Sequence, residues 1–326
     1  MLAAWCPRYG PPEVLDVREV PAPTPADGEI AIAISHATVT SGDRRIRALD
    51  VPLGFKTLSR LMFGFRRPRR PILGMEAAGT VTEVGHGVTA FAPGDRVFVF
   101  DGSGMGCWAT QKCIAADGPV VRIPDGVDDE QAAALAFGGT TMLDFYRRGA
   151  LQAGERVLVN GASGGVGTAA VQLGRVQGAE VTAVCSTRNI ELVRELGATS
   201  IIDYTTTDVA TTGQTFDMIV DTAGTMPFGR ARRLLRPGGR LLVVLGTLLD
   251  MVAAPWRSRT TPFRVVAGPA SVHREDMETI ARLAASGDYH AVIDRRFPLS
   301  EIVAAHRHVD TGHKRGNVIL MMPSPA

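Results

Sequence analysis

The hydrophobic pattern of the chain changes its period at about residue 125. Before that point, short apolar stretches alternate with polar positions and are bounded by Gly and Pro, as at 29–37, 77–85 and 95–100. A two-residue period between turn residues predicts β-strands, here in a compact, partly open barrel. After it, strand-length apolar runs alternate with helix-length segments. That alternation predicts an α/β fold with a doubly wound parallel sheet.

The second region and the end of the chain contain most of the predicted helices. Strands are predicted at 156–160, 181–185, 200–203, 217–220 and 240–246, and helices at 129–148, from the glycines to about 177, and at 191–198. The chain closes with predicted helices at 274–287 and 299–309 and a strand at 317–322.

Residues 51–71 interrupt the β-rich region with a segment that is first apolar and then basic. Its second half contains Arg66, Arg67, Arg69 and Arg70. These side chains could hold an anionic ligand or a phosphate, or they could form the solvated rim of a surface loop. The sequence leaves both interpretations open.

Composition limits the class of protein. The 326 residues suffice for about two domains, and a formal net charge of +2 gives no reason to expect a nucleic-acid or membrane partner. The cysteines form no CxxC pair, the N-terminus lacks the pattern of a signal peptide, and the longest apolar runs, such as Leu241–Leu245, are strand-sized. We therefore expect a cytoplasmic protein. The four cysteines are Cys6, Cys107, Cys113 and Cys185.

The strongest local signal is the glycine-rich turn at 161–167, between the strand 156–160 and a helix. Gly164 and Gly167 allow a tight turn and a close approach of the backbone to a diphosphate, while the helix N-terminus offers free N–H groups. Ala169 and Ala170 allow the helix to pack closely on the sheet. The pattern predicts dinucleotide binding.

The same turn also fits G-x-S-x-G, the nucleophile elbow of α/β hydrolases, with Ser163 as nucleophile. Asp221 and His273 or His306 follow in the chain order that such a triad needs. However, no HGGG-type loop precedes the turn, and its last glycines serve phosphate binding rather than an elbow. Hydrolase is the minor alternative.

The end of the second strand of this region favours NADP(H). NAD sites place a carboxylate there, about 20 residues after the glycines, to bind the ribose 2′-hydroxyl. Here Ser186 and Arg188 follow the strand and the first carboxylate is Glu191. A hydroxyl and a guanidinium suit a 2′-phosphate.

A series of motifs in fixed order extends over almost the full length of the chain: YGPPEVLDVREVPAPTPADGEI, PILGMEAAGTVTEVGHGVTAFAPGDRVF, FGGTTMLDF, GASGGVG, ELGATSIIDY, LLRPGGRLLVVLG and RFPLSEIVAAHRHVDTGHKRGNVIL. With these motifs the chain resembles the medium-chain dehydrogenase/reductase superfamily, in its zinc-independent NADPH:quinone oxidoreductase (zeta-crystallin-like) group. The resemblance implies a Rossmann domain at 124–289 inserted in a GroES-like β-barrel catalytic domain formed by 1–123 and 290–326. It also implies a cofactor and substrate cleft between them, and a homodimer through the Rossmann sheet edge near 263–268.

The resemblance assigns cofactor contacts residue by residue. The glycine motif corresponds to Ala162, Ser163, Gly164, Gly165, Val166 and Gly167, with Ala in place of the first glycine. The other implied contacts are Ser186, Arg188 and Tyr204 at the 2′-phosphate, Thr141, Gly246 and Thr247 at the nicotinamide and its ribose, and Asn317 in the place of the family's lysine.

The zinc ligands of the alcohol dehydrogenase pattern are replaced in this sequence. Thr40 stands where the zinc enzymes have Cys, and Met75 stands where they have His, next to Glu76. No three-ligand set with an open position remains, so we expect no catalytic metal.

Without a metal, hydride transfer from NADPH suits an acceptor that delocalises the resulting charge. We therefore predict reduction of a quinone, an activated C=C bond of an enone, or an aldehyde-like electrophile. Thr40, in the place of the family's Asn, and Ser41 are the predicted hydrogen-bond donors, and Asp43 is either an acid or a structural cap. The alternative is an NADPH-binding protein of low turnover with a structural or partner-binding role.

Overall fold

A computed structural model describes residues 1–323, which form two compact units. Within the described residues, the first consists of 1–51, 56–137 and 272–323, and the second of 52–55 and 138–271. The strands are β1 (Leu2–Trp5), β2 (Asp16–Glu19), β3 (Glu29–Thr38), β4 (Glu76–Val84), β5 (Arg96–Phe100), β6 (Gln111–Ala115), β7 (Val120–Arg122), β8 (Arg156–Asn160), β9 (Glu180–Cys185), β10 (Ser200–Asp203), β11 (Phe216–Asp221), β12 (Leu235–Val243), β13 (Arg264–Ala267), β14 (Ile293–Pro298) and β15 (Asn317–Met321). The helices are α1 (Ser41–Ala48), α2 (Lys56–Phe63), α3 (Asp129–Ala133), α4 (Ala136–Gly149), α5 (Gly165–Val176), α6 (Ile190–Glu195), α7 (Phe228–Ala231), α8 (Leu248–Thr260), α9 (Arg274–Ala285) and α10 (Ile302–Asp310).

The first unit is built on a seven-stranded sheet in the order β14-β15-β3-β4-β5-β7, with β6 paired to β3. The central strand β3 is antiparallel to β4, β6 and β15. Its alternating apolar side chains, including Ile30, Ile32 and Ile34, are buried. The indole of Trp108 is also buried and donates to the carbonyl of Thr38 at 2.8 Å, which secures the end of β3.

The second unit is a six-stranded sheet in the order β10-β9-β8-β11-β12-β13, in which every pair is parallel. Its core contains Leu158, Phe216, Ile219 and Leu241, which are fully buried. After β8 the chain proceeds to β9 on one side, and β11 later pairs with the other side of β8. Ligands of doubly wound sheets bind where the strand order reverses in this way, at the carboxyl ends of the strands.

The predicted fold class is confirmed, and most predicted strands are correct to within one or two residues. The residue ranges differ in several places. The helix predicted at 129–148 is divided into α3 and α4, and the strand predicted at 240–246 starts earlier and ends at Val243. The helices α2, within 51–71, and α8 were not predicted, and neither were the strands β6, β7 and β14.

The unit boundaries found from internal contacts are near residues 137 and 272, compared with the predicted 123 and 290. The difference arises because α3 packs on β3 and β4 of the first unit, and α9 packs on β7. The first unit is formed by segments from both ends of the chain. No helix within residues 1–323 is long and apolar enough to cross a bilayer.

Candidate functional site

The glycine turn follows β8 directly. Gly161 adopts a φ of 83°, and Gly164 precedes α5 without any side-chain cap. A Cβ on Gly167 would lie 2.0 Å from the carbonyl oxygen of Gly161, so only glycine allows the first turn of α5 to pass this close to the end of β8. The helix N-terminus is therefore bare backbone, which fits the diphosphate of a dinucleotide.

A polar cluster adjoins the turn. The buried amide of Asn189 donates to the hydroxyl oxygens of Ser163 (3.0 Å) and Ser186 (3.1 Å), so two predicted contacts are brought together. The sequence pattern did not identify Asn189 as a site residue, although it directly follows Arg188. Its Oδ1 is buried and has no hydrogen-bond partner within the described part of the chain.

Arg188 and Tyr204 lie at the same edge of the sheet. Arg188 is exposed and follows β9, while Tyr204, 60% exposed, follows β10. The two strands are in register at their ends, because Asp203 is paired with Cys185. The structure therefore brings together the carboxyl ends of β9 and β10, which Arg188 and Tyr204 follow.

Asp203 is a carboxylate at this edge that the sequence analysis missed. It accepts hydrogen bonds from the hydroxyls of Thr187 (2.5 Å) and Thr205 (2.7 Å), and these bonds hold its pKa below the usual value. The signal was available, because Asp203 is the last residue of a predicted strand. Its negative charge disfavours a phosphate group at this edge of the sheet.

The remaining predicted cofactor contacts occupy different environments. Thr141 is buried in α4. Gly246 precedes α8, and Thr247 caps that helix in a reciprocal pair with Asp250, to which its hydroxyl donates at 2.8 Å. Asn317 lies on β15 in the first unit, where its amide donates to the carbonyl of Val292 at 3.2 Å. The hydroxyl proton of Thr247 is therefore engaged within its own helix.

In the first unit, Glu76 is a fully buried carboxylic acid. Its Oε1 accepts from the hydroxyl of Thr38 and its Oε2 from the backbone N–H of Phe137, both at 2.7 Å. Burial raises its pKa to about 8, against the lowering effect of these two hydrogen bonds. The neutral acid is therefore substantially populated near neutral pH.

Asp43 and Thr40 form a buried pair at the start of α1. The hydroxyl and backbone N–H of Thr40 donate to Oδ2 of Asp43 at 2.7 and 2.8 Å, and the Asp43 N–H donates back to the hydroxyl. Thr40 is thus the N-cap of α1, and Asp43 completes a capping box from the third helical position, with Ser41 as the first helical residue. This is the structural one of the two roles predicted for Asp43. Burial also raises its pKa to about 6, and its Oδ1 is buried without a hydrogen-bond partner among residues 1–323.

Lys314 is a further charged group of this cluster that the sequence analysis missed. Its ammonium donates to the carbonyl of Gly316, and burial lowers its pKa to about 8. Asp294, Glu76 and Asp43 oppose that shift, which identifies them as its acidic neighbours. Lys314 lies three residues before Asn317, which stands in the place of the family's lysine. The first unit therefore still has a lysine close to that position in the sequence.

The described residues contain no group of three His, Cys, Asp or Glu side chains placed to hold a metal ion. The hydrolase triad is not assembled either. Ser163 accepts from Asn189, Asp221 accepts from loop amides such as the N–H of Met226, and the ring of His306 packs edge-on against Trp108 at 4.7 Å. Ser163, Asp221 and His306 therefore each have other neighbours, and His273, the other candidate, is exposed at the start of α9.

Comparison with protein families gives two matches. The family model described as "Alcohol dehydrogenase GroES-like domain" matches residues 26–127, and that described as "Zinc-binding dehydrogenase" matches residues 196–320. Together they cover parts of both units.

Similar proteins include the NAD(P)H oxidoreductase RTN4IP1 of Mus musculus mitochondria, 32% identical over 76% of this chain and 69% of its own length. The chloroplast envelope quinone oxidoreductase homolog of Arabidopsis thaliana is 29% identical, covering 93% of this chain and 92% of its own. Acryloyl-coenzyme A reductase of Metallosphaera sedula is also 29% identical, over 94% and 96%.

The solved structure of a quinone oxidoreductase from Coxiella burnetii superposes with a TM-score of 0.87 at 25% identity, covering 99% of each chain. The relatives, the family models and the bare glycine turn agree on an oxidoreductase that uses a nicotinamide cofactor. The chain belongs to the medium-chain dehydrogenase/reductase superfamily, in its zinc-independent quinone oxidoreductase group.

Proposed function

We propose that this protein reduces a quinone or the activated C=C bond of an enone with NADPH. The proposal rests on two features of the chain. Helix α5 begins with a bare N-terminus that suits a diphosphate, and the first unit has Thr40 and Met75 where the zinc enzymes have Cys and His ligands. The relatives support both acceptor classes, since one is a quinone oxidoreductase homolog and another an acryloyl-coenzyme A reductase.

The choice of NADPH over NADH rests on the edge formed by β9 and β10. We assign the 2′-phosphate to Ser186, Arg188 and Tyr204, with the guanidinium as its main charge partner. Glycines 164, 165 and 167, with Ala162, Ser163 and Val166, form the diphosphate contact. Thr141, Gly246, Thr247 and Asn317 stay assigned to the nicotinamide half.

Bound NADPH supplies a hydride to the electrophilic carbon or quinone ring. The chain must then supply one proton, or a hydrogen bond, to the oxygen or carbon that receives the charge. We assign this role to Thr40 and Asp43, with Ser41 as a neighbouring donor. When Asp43 is ionised, the Thr40 hydroxyl donates to it. When Asp43 is protonated it can donate instead, which releases the proton of Thr40 toward the substrate.

Steady-state NADPH oxidation by the intact protein tests the reaction, with 1,4-naphthoquinone and a small panel of enones as acceptors. We expect saturable turnover with at least one acceptor class. Tight NADPH binding without turnover would contradict the enzyme assignment and favour the alternative of a low-turnover NADPH-binding protein. Stoichiometric zinc that is required for turnover would contradict the proposed chemistry.

We also propose that the protein is a homodimer paired through β13. This strand forms one end of the six-stranded sheet, with β12 on its other side. A strand at the end of a sheet can pair with a second copy. Here such pairing would replace the two hydrogen bonds between the backbone of Val265 and the hydroxyl of Ser258. Light scattering during size-exclusion chromatography checks the mass, and a monomer at micromolar concentration would contradict the assignment.

A further inference from the structure

Helix α2 presents its apolar side chains to solvent. Leu58, Leu61 and Met62 have the i, i+3, i+4 spacing of one helix face and are 52%, 58% and 56% exposed, and Phe65, just beyond the helix, is 65% exposed. The buried residue of the helix is Ser59. A surface helix normally faces its apolar stripe inward, so this orientation requires a different explanation.

The same segment is strongly basic. Between Asp50 and Glu76 the sequence contains no acidic residue, whereas the whole chain has 33 acidic residues and a formal net charge of only +2. None of the six cations forms an ion pair in the part of the chain that the structure describes. They are Lys56, Arg60, Arg66, Arg67, Arg69 and Arg70. We call these cations, together with Leu58, Leu61, Met62 and Phe65, the α2 patch.

A cavity of about 400 Å³ opens beside the patch, and its lining includes Lys56, Arg60 and Arg66. It also includes the rings of Tyr9 and Phe65, and the guanidinium carbon of Arg60 lies 5.6 Å from the centre of the Phe65 ring. The Nε of Arg60 is buried without a hydrogen-bond partner within residues 1–323. Three cations without a carboxylate around one cavity match the charge of a phosphate.

The turn after α2 gives the patch a fixed shape. The hydroxyl of Tyr9 donates to the carbonyl of Gly64 at 2.8 Å, and the N–H of Arg69 donates to the carbonyl of Phe63 at 2.7 Å. Gly64 has a φ of 123°, and a Cβ there would lie 2.1 Å from the carbonyl oxygen of Arg67. The apolar stripe and the cations therefore lie side by side on an ordered turn.

A second copy of this chain is an unfavourable partner for the α2 patch, because pairing two such patches would bring twelve cations together without a counter-charge. A nucleic acid would neutralise the cations and leave the apolar stripe exposed. An anionic lipid surface satisfies both, because apolar side chains enter the acyl boundary while cations meet the phosphates.

We propose that the α2 patch docks the protein on an anionic phospholipid surface, with Leu58, Leu61, Met62 and Phe65 in the interface and a lipid phosphate in the cavity lined by Lys56, Arg60 and Arg66. The docking is peripheral and reversible, since it involves one short helix and no spanning segment. It does not depend on the proposed reaction.

Sedimentation of the full chain with vesicles tests the proposal. We expect binding to phosphatidylcholine vesicles that contain phosphatidylglycerol, release by high salt, and no binding to phosphatidylcholine alone. Leu61→Ser/Phe65→Ser and Arg66→Glu/Arg67→Glu should each weaken binding at least about tenfold, because one removes the inserted surface and the other reverses the attraction. Arg60→Ala should weaken it more than Arg67→Ala, which alters the same segment outside the cavity lining.

Matched controls lie in the second unit. Leu249→Ser removes an apolar side chain that is 73% exposed on α8, and Arg232→Glu/Arg233→Glu reverses an exposed basic pair. Both should bind vesicles as the unaltered protein does, and thermal melting checks that every variant is folded.

Three results would overturn the proposal. One is the absence of binding to the mixed vesicles, and another is equal weakening by the controls. The third is the absence of vesicle binding together with a different occupant of the α2 patch. That occupant would be inorganic pyrophosphate if it binds under saturating NADPH and its binding is lost in Arg60→Ala. It would be a second copy of the chain if the protein forms a dimer that Leu61→Ser/Phe65→Ser dissociates.

Discussion

At the scale of single residues, the most unusual groups are the two buried acids of the first unit. Glu76 and Asp43 lie in an apolar region in which the charged form of a carboxyl is costly, and hydroxyl and amide donors compensate only part of that cost. Glu76 lies next to the position where zinc enzymes have a histidine ligand. In this chain its two oxygens are occupied by Thr38 and Phe137, so the acid serves the packing of the first unit.

We predict that Glu76→Gln makes the free energy of unfolding less dependent on pH between about 5 and 8. The folded state holds the Glu76 proton up to a pKa of about 8, whereas the unfolded state loses it near 4.5, so the stability of the unaltered protein falls as pH rises through this window. The amide can accept from Phe137 and donate to Thr38, and needs no ionisation. The variant should gain on the order of a few kcal/mol relative to the unaltered protein between pH 5 and 8.

Urea unfolding at a series of pH values measures this difference. Glu83→Gln is the control, since Glu83 lies on the same strand, β4, but is exposed. If Glu76→Gln and Glu83→Gln showed the same pH dependence as the unaltered protein, the buried acid would be ionised throughout, contrary to our expectation.

At the scale of elements, α5 and α1 place their functional groups by different means. The start of α5 is shaped by absent side chains, because Gly164 provides no cap and Gly167 has no room for a Cβ. The start of α1 is shaped by side chains that cap it reciprocally, and the same hydroxyl and carboxyl are our proposed proton donors. One helix end thus exposes its backbone N–H groups, and the other covers them.

Replacing each of two glycines in the turn should separate folding from binding. Gly167→Ala forces a methyl against the Gly161 carbonyl, and we expect a loss of several kcal/mol of stability or failure to fold. In Gly164→Ala the added Cβ would lie 3.6 Å from the carbonyl oxygen of Gly161, which is an ordinary contact distance. The φ of Gly164 is −78°, outside the left-handed region. This variant should keep the melting temperature but weaken NADPH binding, because the methyl faces the approach of the diphosphate.

Calorimetric titration of NADPH together with thermal melting measures both effects. A Gly164→Ala protein that binds NADPH as tightly as the unaltered one would show that the phosphates do not approach this turn.

Thr40→Val removes both the cap and the proton of the hydroxyl. We expect it to cost about 1 kcal/mol of stability and to lower kcat more than it changes the substrate KM. Thr40→Ser should restore both, because the serine hydroxyl can form the same hydrogen bonds to Asp43. Asp128→Ala is the control for capping alone, since Asp128 caps α3 through the N–H of Gln131.

The measurement is steady-state kinetics over a range of pH, beside urea unfolding. If Thr40→Val kept its kcat and pH profile and lost only stability, Thr40 would be a cap and no proton donor.

At the scale of the whole molecule, cofactor preference is best measured as stability. A ligand present at one hundred times its Kd stabilises the folded state by roughly 2.7 kcal/mol. We expect NADPH to raise the melting temperature more than NADH at equal concentration, because Arg188 can pair with the 2′-phosphate. Arg188→Ala should reduce the ratio of the two affinities about tenfold.

Thermal melts with both nucleotides check this, with Arg194→Ala as a control for loss of an exposed arginine on the following helix, α6. A preference unchanged in Arg188→Ala would remove the argument for a 2′-phosphate site. A preference for NADH would indicate that the carboxylate of Asp203 decides the selectivity at this edge.

Local patterns were sufficient to predict five of the six strands of the second unit, because each of them is a short and mainly apolar run. Strand β13 was placed only by the family resemblance. The period change near residue 125 and the turn at 161–167 therefore predicted the Rossmann unit and the bare start of α5. The zinc ligands are also identified by residue type alone, so their replacement by Thr40 and Met75 was visible in the sequence.

The tertiary structure decided which polar groups share a site and which way each helix faces. Asn189, Asp203 and Lys314 are isolated polar residues along the chain, and they approach their partners only when strands and loops that are distant in sequence are packed together. Helix α2 is amphipathic in sequence, but periodicity does not say which face is inward. That depends on what the rest of the fold covers, and here it covers Ser59 and leaves Leu61 and Phe65 exposed.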